Sequence, residues 1–411
     1  MAKDNAPIEG VDAAAWETCL RVLRAAIERP AAMPDREALE RLAARIYKRA
    51  RKERRKVDAA GRREHDRGLL EEVLVARENG RALEVSGGDT VPLLAGSRRC
   101  YVCSALFREL HRRYHLLCPT CAAFHESKRA ERLDLRGRRA LITGARVKIG
   151  HATALRMLRS GAELIATSRF AAAARRVFER APDFEEWRDR VHVLSADFRD
   201  PRQAERLAAE VTARFGSLDI LVNNAAQTVL RPEEGRLAAG DVESVAEEDR
   251  REVNGWTLHL EDVSAEEILD VMHVNAAAPL LLTARLLPAL RASRHHDRYV
   301  VNVVGLDGQL ERPMKLARHP HVNAGKAALN MLTRTCSEEL SGLGIFMNSV
   351  DVGWVTHEGA WSVRHRMRAQ GFAPPLDTED AAARICDPIA RGLAGAPVFG
   401  RVWKDFHEGT W

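Results

Sequence analysis

The sequence predicts an α/β fold in which a doubly wound parallel sheet follows an N-terminal helical region and a small zinc-binding module. Three observations predict it: strand-like and helical segments alternate from Leu135 onward, a glycine-rich turn occupies residues 143–150, and four cysteines form two close pairs. Strands that alternate with amphipathic helices pair in parallel, because each helix carries the chain back across the sheet. The strand-like runs are Ala140–Ile142, Leu164–Ala166, Val191–Leu194, Ile220–Val222, Tyr299–Val304, Phe346–Val350 and Val398–Val402.

Length and composition indicate a globular protein of two or three compact units. Hydrophobic residues make up 45% of the 411 residues and charged residues 30%, which excludes wholesale disorder. No run approaches the roughly 20 apolar residues that a membrane span needs, and the first residues lack the apolar core of a secretory signal. Seven cysteines are too few for a disulfide scaffold in a chain of this length. We therefore expect a cytoplasmic protein with no membrane partner, whose cysteines are reduced or bound to metal.

Residues 1–95 are predicted to be a helical region that carries a concentrated positive charge. Apolar side chains recur at helical spacing from Trp16 to Ile27, and Pro30 ends that pattern; a second helix is expected to begin after Asp35. Between residues 45 and 67 there are eleven Lys or Arg against four Asp or Glu, within a net charge of +6. Such a positively charged run could bind nucleic-acid phosphates. It is equally typical of the solvent-exposed face of a helix.

Residues 96–130 contain the cysteines that predict the zinc module. Each Cys-x2-Cys pair points two thiolates at one ion from a tight turn, and fourteen residues separate the two pairs. Two local disulfides or a coincidence fit an intracellular chain less well, and a redox Cys-x-x-Cys needs only one pair. Because four protein ligands leave no open coordination position, we expect a structural zinc without a catalytic role. The predicted ligands are Cys100, Cys103, Cys118 and Cys121, and the neighbouring histidines able to replace a cysteine are His111, His115 and His125.

Residues 131–411 contain the features of a dinucleotide-binding domain. The turn at 143–150 reads Thr-Gly-Ala-Arg-Val-Lys-Ile-Gly between a strand and a helix, where backbone N–H groups and the helix N-terminus hold a pyrophosphate. This pattern is weak by itself, and it gains specificity from the motifs that follow it in order. These are Asp197 after the third strand, Asn223-Asn224-Ala225-Ala226 after the fourth, Asn275 and Lys326 in two later helices, and Gly353-Trp354-Val355-Thr356 after the sixth strand.

With these motifs the chain resembles the short-chain dehydrogenase/reductase family, from about Leu135 to its end, and the resemblance implies a Rossmann-type oxidoreductase that uses NAD or NADP. It further implies that the glycine turn binds the cofactor pyrophosphate and that the acidic residue after the third strand meets the adenine. The residues that it places on this half of the cofactor are Thr143, Gly144, Arg146, Lys148, Ile149, Gly150, Asp197, Asn224 and Ala225.

The resemblance also implies roles around the nicotinamide. Asn275 supports a proton relay, and Lys326 holds the nicotinamide ribose and depresses the pKa of a tyrosine in that family. The turn after the sixth strand, with Gly353, Val355 and Thr356, lies beside the nicotinamide amide.

Cofactor preference is predicted from the charge at the end of the second strand. Family members that prefer NAD carry an acidic residue there, which binds the ribose 2′-hydroxyl. This chain instead has Ser168 followed by Arg169, and Arg146 lies in the glycine turn. Two cations near the 2′ position favour the additional phosphate of NADP, unless both arginines point to solvent. We therefore predict NADP, with NAD as the less favoured cofactor.

Three residues depart from the family pattern. The middle glycine of the turn is Lys148, whose side chain crowds the pyrophosphate unless its ammonium contacts it. The tyrosine four residues before the lysine is replaced by Val322, and the serine after the fifth strand aligns with Val304 or Gly305. None of the replacements at these last positions can donate a proton or a hydrogen bond from its side chain.

Nearby residues offer substitutes for the missing acid. His321 lies one residue from the position of the lost tyrosine, and His319 lies seven residues before Lys326, the spacing of the tyrosine in the enoyl-reductase branch of the same family. Histidine suits acid–base chemistry near neutral pH, and Asp307 is a further candidate. The alternatives are that both histidines lie on a loop without a catalytic role and that the site has no proton donor.

An insert at residues 227–267 follows the fourth strand, near the strand ends where substrates approach. It is polar at first and then contains Trp256, Leu258 and Leu260. Three alternatives are open for the insert: a substrate lid, a surface that binds a partner, or a long loop without a specific role. We expect Trp256 to anchor it to the core.

Two functions from different classes remain open. One is an NADP-dependent oxidoreductase that transfers hydride to or from a small-molecule substrate, and the retained Asn275 and Lys326 favour it. The other is a catalytically inactive dinucleotide-binding regulator or scaffold that contacts protein or nucleic acid, and the missing serine and tyrosine favour it. The family resemblance also implies a homo-oligomer packed through the two helices that carry Asn275 and Lys326.

Overall fold

The computed structural model describes residues 11–30, 35–78, 82–83, 92–226, 252–311 and 315–411. The chain divides into two units, Met1–Gly68 and Leu69–Trp411. The boundaries that we predict after residues 95 and 130 remain predictions. Most of the 227–267 insert, through residue 251, lies outside the described residues.

The described part of the first unit consists of helix. Helix α1 (Ala13–Glu28) begins at Asp12, whose side chain accepts a hydrogen bond of 2.7 Å from the Ala15 N–H. Helix α2 (Arg36–Glu78) begins directly after Asp35 and contains the whole basic run. No residue of α1 is buried, and the basic residues of α2 lie almost entirely in solvent. The last turns of α2, residues 69–78, belong to the second unit.

The cysteine segment forms a hairpin and a helix that share a core with the domain that follows. Strands β1 (Leu93–Arg99) and β2 (Leu106–Glu109) pair antiparallel, and helix α3 (Pro119–Ala130) begins at the second cysteine pair. Leu94 and Leu117 are fully buried in the same hydrophobic cluster as the central sheet. The buried contact between these parts of the second unit gives the cysteine segment a fixed position on the sheet domain.

Eight strands form the central sheet of the second unit. Their order is β10-β9-β8-β7-β6-β3-β4-β5, and all neighbours pair in parallel except β10 with β9. The order reverses between β3 and β6, which is the point where open sheets of this type bind ligands at the carboxyl ends of their strands. The strands are β3 (Arg139–Ile142), β4 (Glu163–Ser168), β5 (Val191–Ser195), β6 (Ile220–Asn223), β7 (Arg298–Val304), β8 (Ile345–Asp351), β9 (Val402–Lys404) and β10 (His407–Gly409).

Helices cover both faces of this sheet, each through its own hydrophobic cluster. Apolar residues of α4 and α11 pack in one cluster, and those of α6 and α8 pack in the other. The helices are α4 (Lys148–Arg159), α5 (Ala171–Glu179), α6 (Pro201–Phe215), α7 (Ala265–Met272), α8 (Ala278–Arg291), α9 (Pro320–Gly342), α10 (Trp361–Ala369) and α11 (Thr378–Leu393).

The predicted fold class is confirmed, and six of the seven strand-like runs coincide with strands of the sheet. The seventh prediction, a strand over 398–402, is wrong except for its last residue. Gly400 has a φ of +66°, so the backbone turns there, and the extended segment begins only at Val402. Among the described residues, none of the helices combines the length and the apolar character of a membrane span.

Candidate cofactor and active site

The glycine turn joins β3 to α4 and is locked to the segment after β6. Gly144 has a φ of +70°, a conformation that favours glycine. A Cβ atom on Gly150 would lie only 2.1 Å from the Gly144 carbonyl oxygen and 2.5 Å from Nδ2 of Asn224, so no larger residue fits there. The Thr143 hydroxyl accepts hydrogen bonds from the N–H groups of Asn224 (3.0 Å) and Ala225 (2.9 Å). Five predicted cofactor-binding residues therefore meet at the reversal of strand order.

Lys148 begins α4 in a left-handed conformation with a φ of +51°. Its Nζ atom lies 2.7 Å from Oε1 of Glu358, a residue 210 positions later in the chain. The ammonium group is thus engaged by a carboxylate. The next residue, Ile149, is half-buried and packs against the hydrophobic cluster on that face of the sheet.

The two arginines predicted to select the cofactor converge at the end of β4. The guanidinium carbons of Arg146 and Arg169 lie 5.5 Å and 5.6 Å from the centre of the Phe170 ring. The Ser168 hydroxyl accepts a hydrogen bond of 3.1 Å from the Phe170 N–H. This end of β4 therefore concentrates two positive charges around one aromatic ring.

Asp197 stays ionised beside these cations. Burial by itself raises the pKa of Asp197, but hydrogen bonds from Arg199, one of 2.5 Å, and the charge of Arg169 lower it below its ordinary value. Asp197 lies after β5, as the sequence predicts, and the charge of Arg169 reaches it.

Asn275 and Lys326 are brought together by contact between two helical segments. Asn275 is fully buried in a π-helical turn at His273–Ala277, and such turns are frequent at functional sites. A Cβ atom on Gly325 would lie 2.9 Å from Cβ of Asn275, so the glycine permits this close approach. Lys326, the next residue, donates a hydrogen bond of 2.9 Å from Nζ to the Val303 carbonyl oxygen. Burial lowers the pKa of Lys326 to about 8, partly opposed by the negative charge of Asp307.

The positions of the family serine and tyrosine hold no proton donor. Val322 is fully buried on α9, and Gly305 follows the end of β7. Tyr299 lies at the opposite, amino end of β7 and donates a hydrogen bond to Asp297. This tyrosine is therefore remote from the carboxyl ends of the strands.

The two candidate histidines occupy different surroundings. His319 precedes α9 and donates a hydrogen bond of 3.1 Å from Nδ1 to the Trp256 carbonyl oxygen, and its Nε2 lies 3.4 Å from Oδ1 of Asp307. His321 is buried with its Nε2 3.4 Å from Oε1 of Glu267 on α7. His321, five residues before Lys326, lies about 140° around α9 from it, whereas His319 lies before the helix with a left-handed φ of +43°.

The described end of the insert contacts His319. The Trp256 and His319 rings lie 4.3 Å apart between centroids, and the His319 N–H donates to the Leu258 carbonyl oxygen at 2.9 Å. Trp256 therefore anchors this part of the insert, as we predict.

The turn after β8 contacts residues that the sequence did not single out. Gly353 has a φ of +77°, and the next N–H, of Trp354, donates a hydrogen bond of 2.9 Å to the hydroxyl of Tyr101 in the cysteine segment. Val355 is buried, and the Thr356 side chain hydrogen-bonds Glu358. Sequence reasoning missed Tyr101 and Glu358, because their partners are 253 and 210 residues away and no local pattern links them.

The four cysteines form one cluster whose dimensions suit a metal ion. Their sulfur atoms all lie within 4.8 Å of one another, and those of Cys103 and Cys118 are 3.7 Å apart. Tetrahedral zinc with bonds of about 2.3 Å separates its sulfur ligands by about 3.8 Å. The Cys118 N–H also donates to Sγ of Cys100 at 3.3 Å, which favours a thiolate there.

The three nearby histidines have other partners. His111 accepts a hydrogen bond from the Arg113 N–H, His115 contacts the Ala373 carbonyl oxygen at 3.2 Å, and His125 contacts Arg384 at 2.9 Å. The donor set in the described residues is therefore four sulfurs.

Comparison with known proteins identifies the family of the α/β domain. The family model described as short chain dehydrogenase matches residues 138–368. An uncharacterized protein of Acanthamoeba polyphaga mimivirus is 30% identical over 336 residues, covering 71% of this chain and 71% of that protein. L-xylulose reductase of Mesocricetus auratus is 28% identical over 260 residues, covering 62% of this chain and 89% of that protein.

A similar solved structure is that of Pseudomonas aeruginosa RhlG, determined as an active-site complex with NADP. It is 25% identical, with a TM-score of 0.49, and the match covers 66% of this chain and 94% of that chain. The family model spans more than half of the 411 residues, and so the protein belongs to the short-chain dehydrogenase family of NAD(P)-dependent oxidoreductases.

Proposed function

We propose that this protein is an NADP-dependent oxidoreductase in which the His319–Asp307 pair takes the place of the family's tyrosine and serine. The observation that carries the proposal is the environment of Lys326. This lysine is buried beside Asn275, and the negative charge of Asp307 partly opposes the lowering of its pKa by burial. Keeping a cationic group buried is unfavourable for stability, so its retention supports a functional role. The substrate is a small molecule with a carbonyl group, an alcohol or an activated double bond.

His319 has the geometry of a proton donor. With Nδ1 donating to the Trp256 carbonyl oxygen, Nε2 is the nitrogen that exchanges a proton, and Asp307 lies 3.4 Å from it. NADP supplies or accepts the hydride when it is bound. In the direction of reduction, His319 passes its Nε2 proton to the substrate oxygen, and Asp307, 3.4 Å from Nε2, orients the ring. Asn275 and the ammonium of Lys326 orient the proton path.

Two matched substitutions test the choice of histidine. His319→Gln should lower kcat for NADPH-dependent reduction of a panel of ketones, aldehydes, enones and quinones by about 100-fold or more, with NADPH affinity retained. His321→Gln should keep kcat within a few-fold of the wild type, because its ring faces Glu267. Equal loss in both variants, or full activity of His319→Gln, would contradict this assignment. Tight NADPH binding without turnover of any substrate would favour a regulator.

Cofactor preference follows from the cations at the end of β4. Arg169→Ala should weaken NADPH binding by about tenfold or more, since a hydrogen bond to a charged group contributes about 1.5–3 kcal/mol, and should leave NADH binding nearly unchanged. Calorimetric titration of both cofactors measures this difference. Arg214→Ala is the matched control, because Arg214 pairs with Glu210 on the outer face of α6. Equal losses for NADPH and NADH would show that Arg169 does not read the 2′-phosphate.

We further propose that Cys100, Cys103, Cys118 and Cys121 hold one structural zinc ion. The spacing of their sulfur atoms supports this ligand set. Mass spectrometry of the purified protein should find one zinc per chain, strongly reduced in Cys103→Ser and retained in Cys336→Ser. A wild-type protein free of zinc, with the four cysteines oxidised, would contradict the proposal.

A scaffold function remains the second candidate because the basic run of α2 is exposed. Its residues between 45 and 67 lie on a helix with little burial, and such charge binds nucleic-acid phosphates with strong salt dependence. Tight, salt-sensitive RNA or DNA binding that responds to NADPH would support this candidate. Binding that is absent at low salt would remove it.

A further inference from the structure

Glu358 connects the two segments that the family uses for opposite halves of its dinucleotide. Its Oε1 lies 2.7 Å from Nζ of Lys148 in the glycine turn. The same carboxylate is hydrogen-bonded by the Thr356 side chain, beside the predicted position of the nicotinamide amide. One acidic side chain therefore engages two groups that are predicted to contact the cofactor.

The surroundings of Glu358 hold it in this position. Its side chain is only 20% exposed, whereas that of Lys148 is 50% exposed. The Asn254 side chain donates a hydrogen bond of 3.1 Å to the Glu358 carbonyl oxygen, which ties its backbone to the described end of the insert. The contact thus has a half-buried and anchored acidic partner and a more exposed basic partner.

Glu358 remains an anion at neutral pH. Burial by itself raises the pKa of Glu358, but the charge of Lys148 and the hydrogen bonds from Lys148 and Thr356 lower it below its ordinary value. An ionised carboxylate beside a turn that binds a pyrophosphate repels that group and competes with it for the same ammonium.

We propose that Glu358 is an internal competitor of the dinucleotide, whose carboxylate holds Lys148 and Thr356 until the cofactor's pyrophosphate and amide replace it. This inference rests on the proposed dinucleotide site and adds a residue that sets its affinity. Lys148, at the position of a family glycine, exchanges one anionic partner for another. Cofactor binding then breaks the contact between Lys148 and Glu358.

The test is the affinity for NADPH of the full-length, zinc-replete protein, measured by calorimetric titration. Glu358→Gln keeps the size and an acceptor oxygen but removes the charge, so NADPH should bind about tenfold more tightly, or about 1.4 kcal/mol. Glu185→Gln is the matched control, since Glu185 pairs with Arg188 at 2.8 Å on the exposed surface and should leave the affinity unchanged. In a Lys148→Met background, Glu358→Gln should lose most of its effect, because the shared cation is gone.

The outcomes separate this inference from the proposed function. If wild type binds NADPH and Glu358→Gln binds it equally or more weakly, Glu358 is no competitor, whereas the dinucleotide site stands. If only Glu358→Gln binds, the competition is complete in the wild type and the inference holds. If neither folded protein binds NADPH or NADH, the dinucleotide site is wrong and the inference falls with it; thermal melting of the variant establishes that it is folded.

Discussion

At the scale of single residues, the buried Lys326 gives the site its most unusual charge. Its ammonium has a backbone carbonyl as its hydrogen-bond partner, and burial lowers its pKa to about 8. The side chain therefore changes charge within the range of ordinary assays. The charge of Asp307 acts on Lys326, and Asp307 lies 3.4 Å from Nε2 of His319, whereas Nε2 of His321 lies 3.4 Å from Glu267.

The lowered pKa of Lys326 predicts how stability depends on pH. Below about pH 8 both the folded and the unfolded chain bind the proton, so this residue contributes no slope. Between about pH 8 and pH 10.4 the unfolded chain keeps a proton that the folded chain has lost, so the free energy of unfolding rises with pH, by up to about 3 kcal/mol.

Urea denaturation of wild type and Lys326→Met across this pH range measures that contribution. The difference between the two proteins should grow in favour of the wild type as the pH rises, because the methionine has no proton to lose. Parallel curves would show that the ammonium is not destabilised by its burial.

At the scale of elements, one hydrogen bond joins the cysteine segment to the turn after β8. The Tyr101 hydroxyl lies between Cys100 and Cys103 in sequence and accepts from the Trp354 N–H. The same hydroxyl would lie 3.3 Å from a Cβ atom on Gly353, so the two turns are in direct contact. The position of the predicted nicotinamide turn therefore depends on the cysteine segment.

Tyr101→Phe should weaken this connection without removing the ring that fills the space. Loss of this hydrogen bond should lower the free energy of unfolding by about 1 kcal/mol, and amide hydrogen exchange at Trp354 should become faster. Tyr47→Phe is the matched control, since Tyr47 is exposed in the first unit. Unchanged exchange at Trp354 would mean that other contacts hold the turn.

At the scale of the whole molecule, the cysteine segment and the α/β sheet share one hydrophobic cluster. Leu94 and Leu117 share a hydrophobic cluster with Ile385 and Ile389 of α11. The Tyr114 hydroxyl donates a hydrogen bond of 2.6 Å to the buried Asp380 at the start of α11. A disturbance of the cysteine cluster is therefore transmitted to the sheet domain.

Zinc removal should consequently lower the melting temperature of the α/β sheet itself. A ligand at a thousandfold excess over its dissociation constant stabilises the folded state by about 4 kcal/mol, and chelation removes this contribution. Near-ultraviolet circular dichroism follows the loss of packing around Trp187 and Trp403, both buried in the sheet domain. Cys336→Ser should respond to chelation as the wild type does, and a chelator without effect on either protein would argue against a structural metal.

The sequence by itself determined the features that local patterns encode. Apolar runs of strand length located six strands of the sheet, and the order of Gly144, Asn224, Asn275 and Lys326 indicated the family. The spacing of the four cysteines predicted one cluster, and their sulfur atoms lie together. Each of these features depends on neighbouring residues or on the order of motifs, so it can be recognised without knowledge of the tertiary structure.

Only the tertiary structure decided which distant side chains meet. It paired His319 with Asp307, His321 with Glu267, Lys148 with Glu358 and Tyr101 with the turn after β8. These pairs join segments that the crossover helices and the shared core bring together. Their members do not lie at helical or strand spacing in the sequence, so no local pattern predicts that they meet. The start of the last strand has a local cause, because the left-handed turn at Gly400 interrupts a run whose apolar composition predicts a strand.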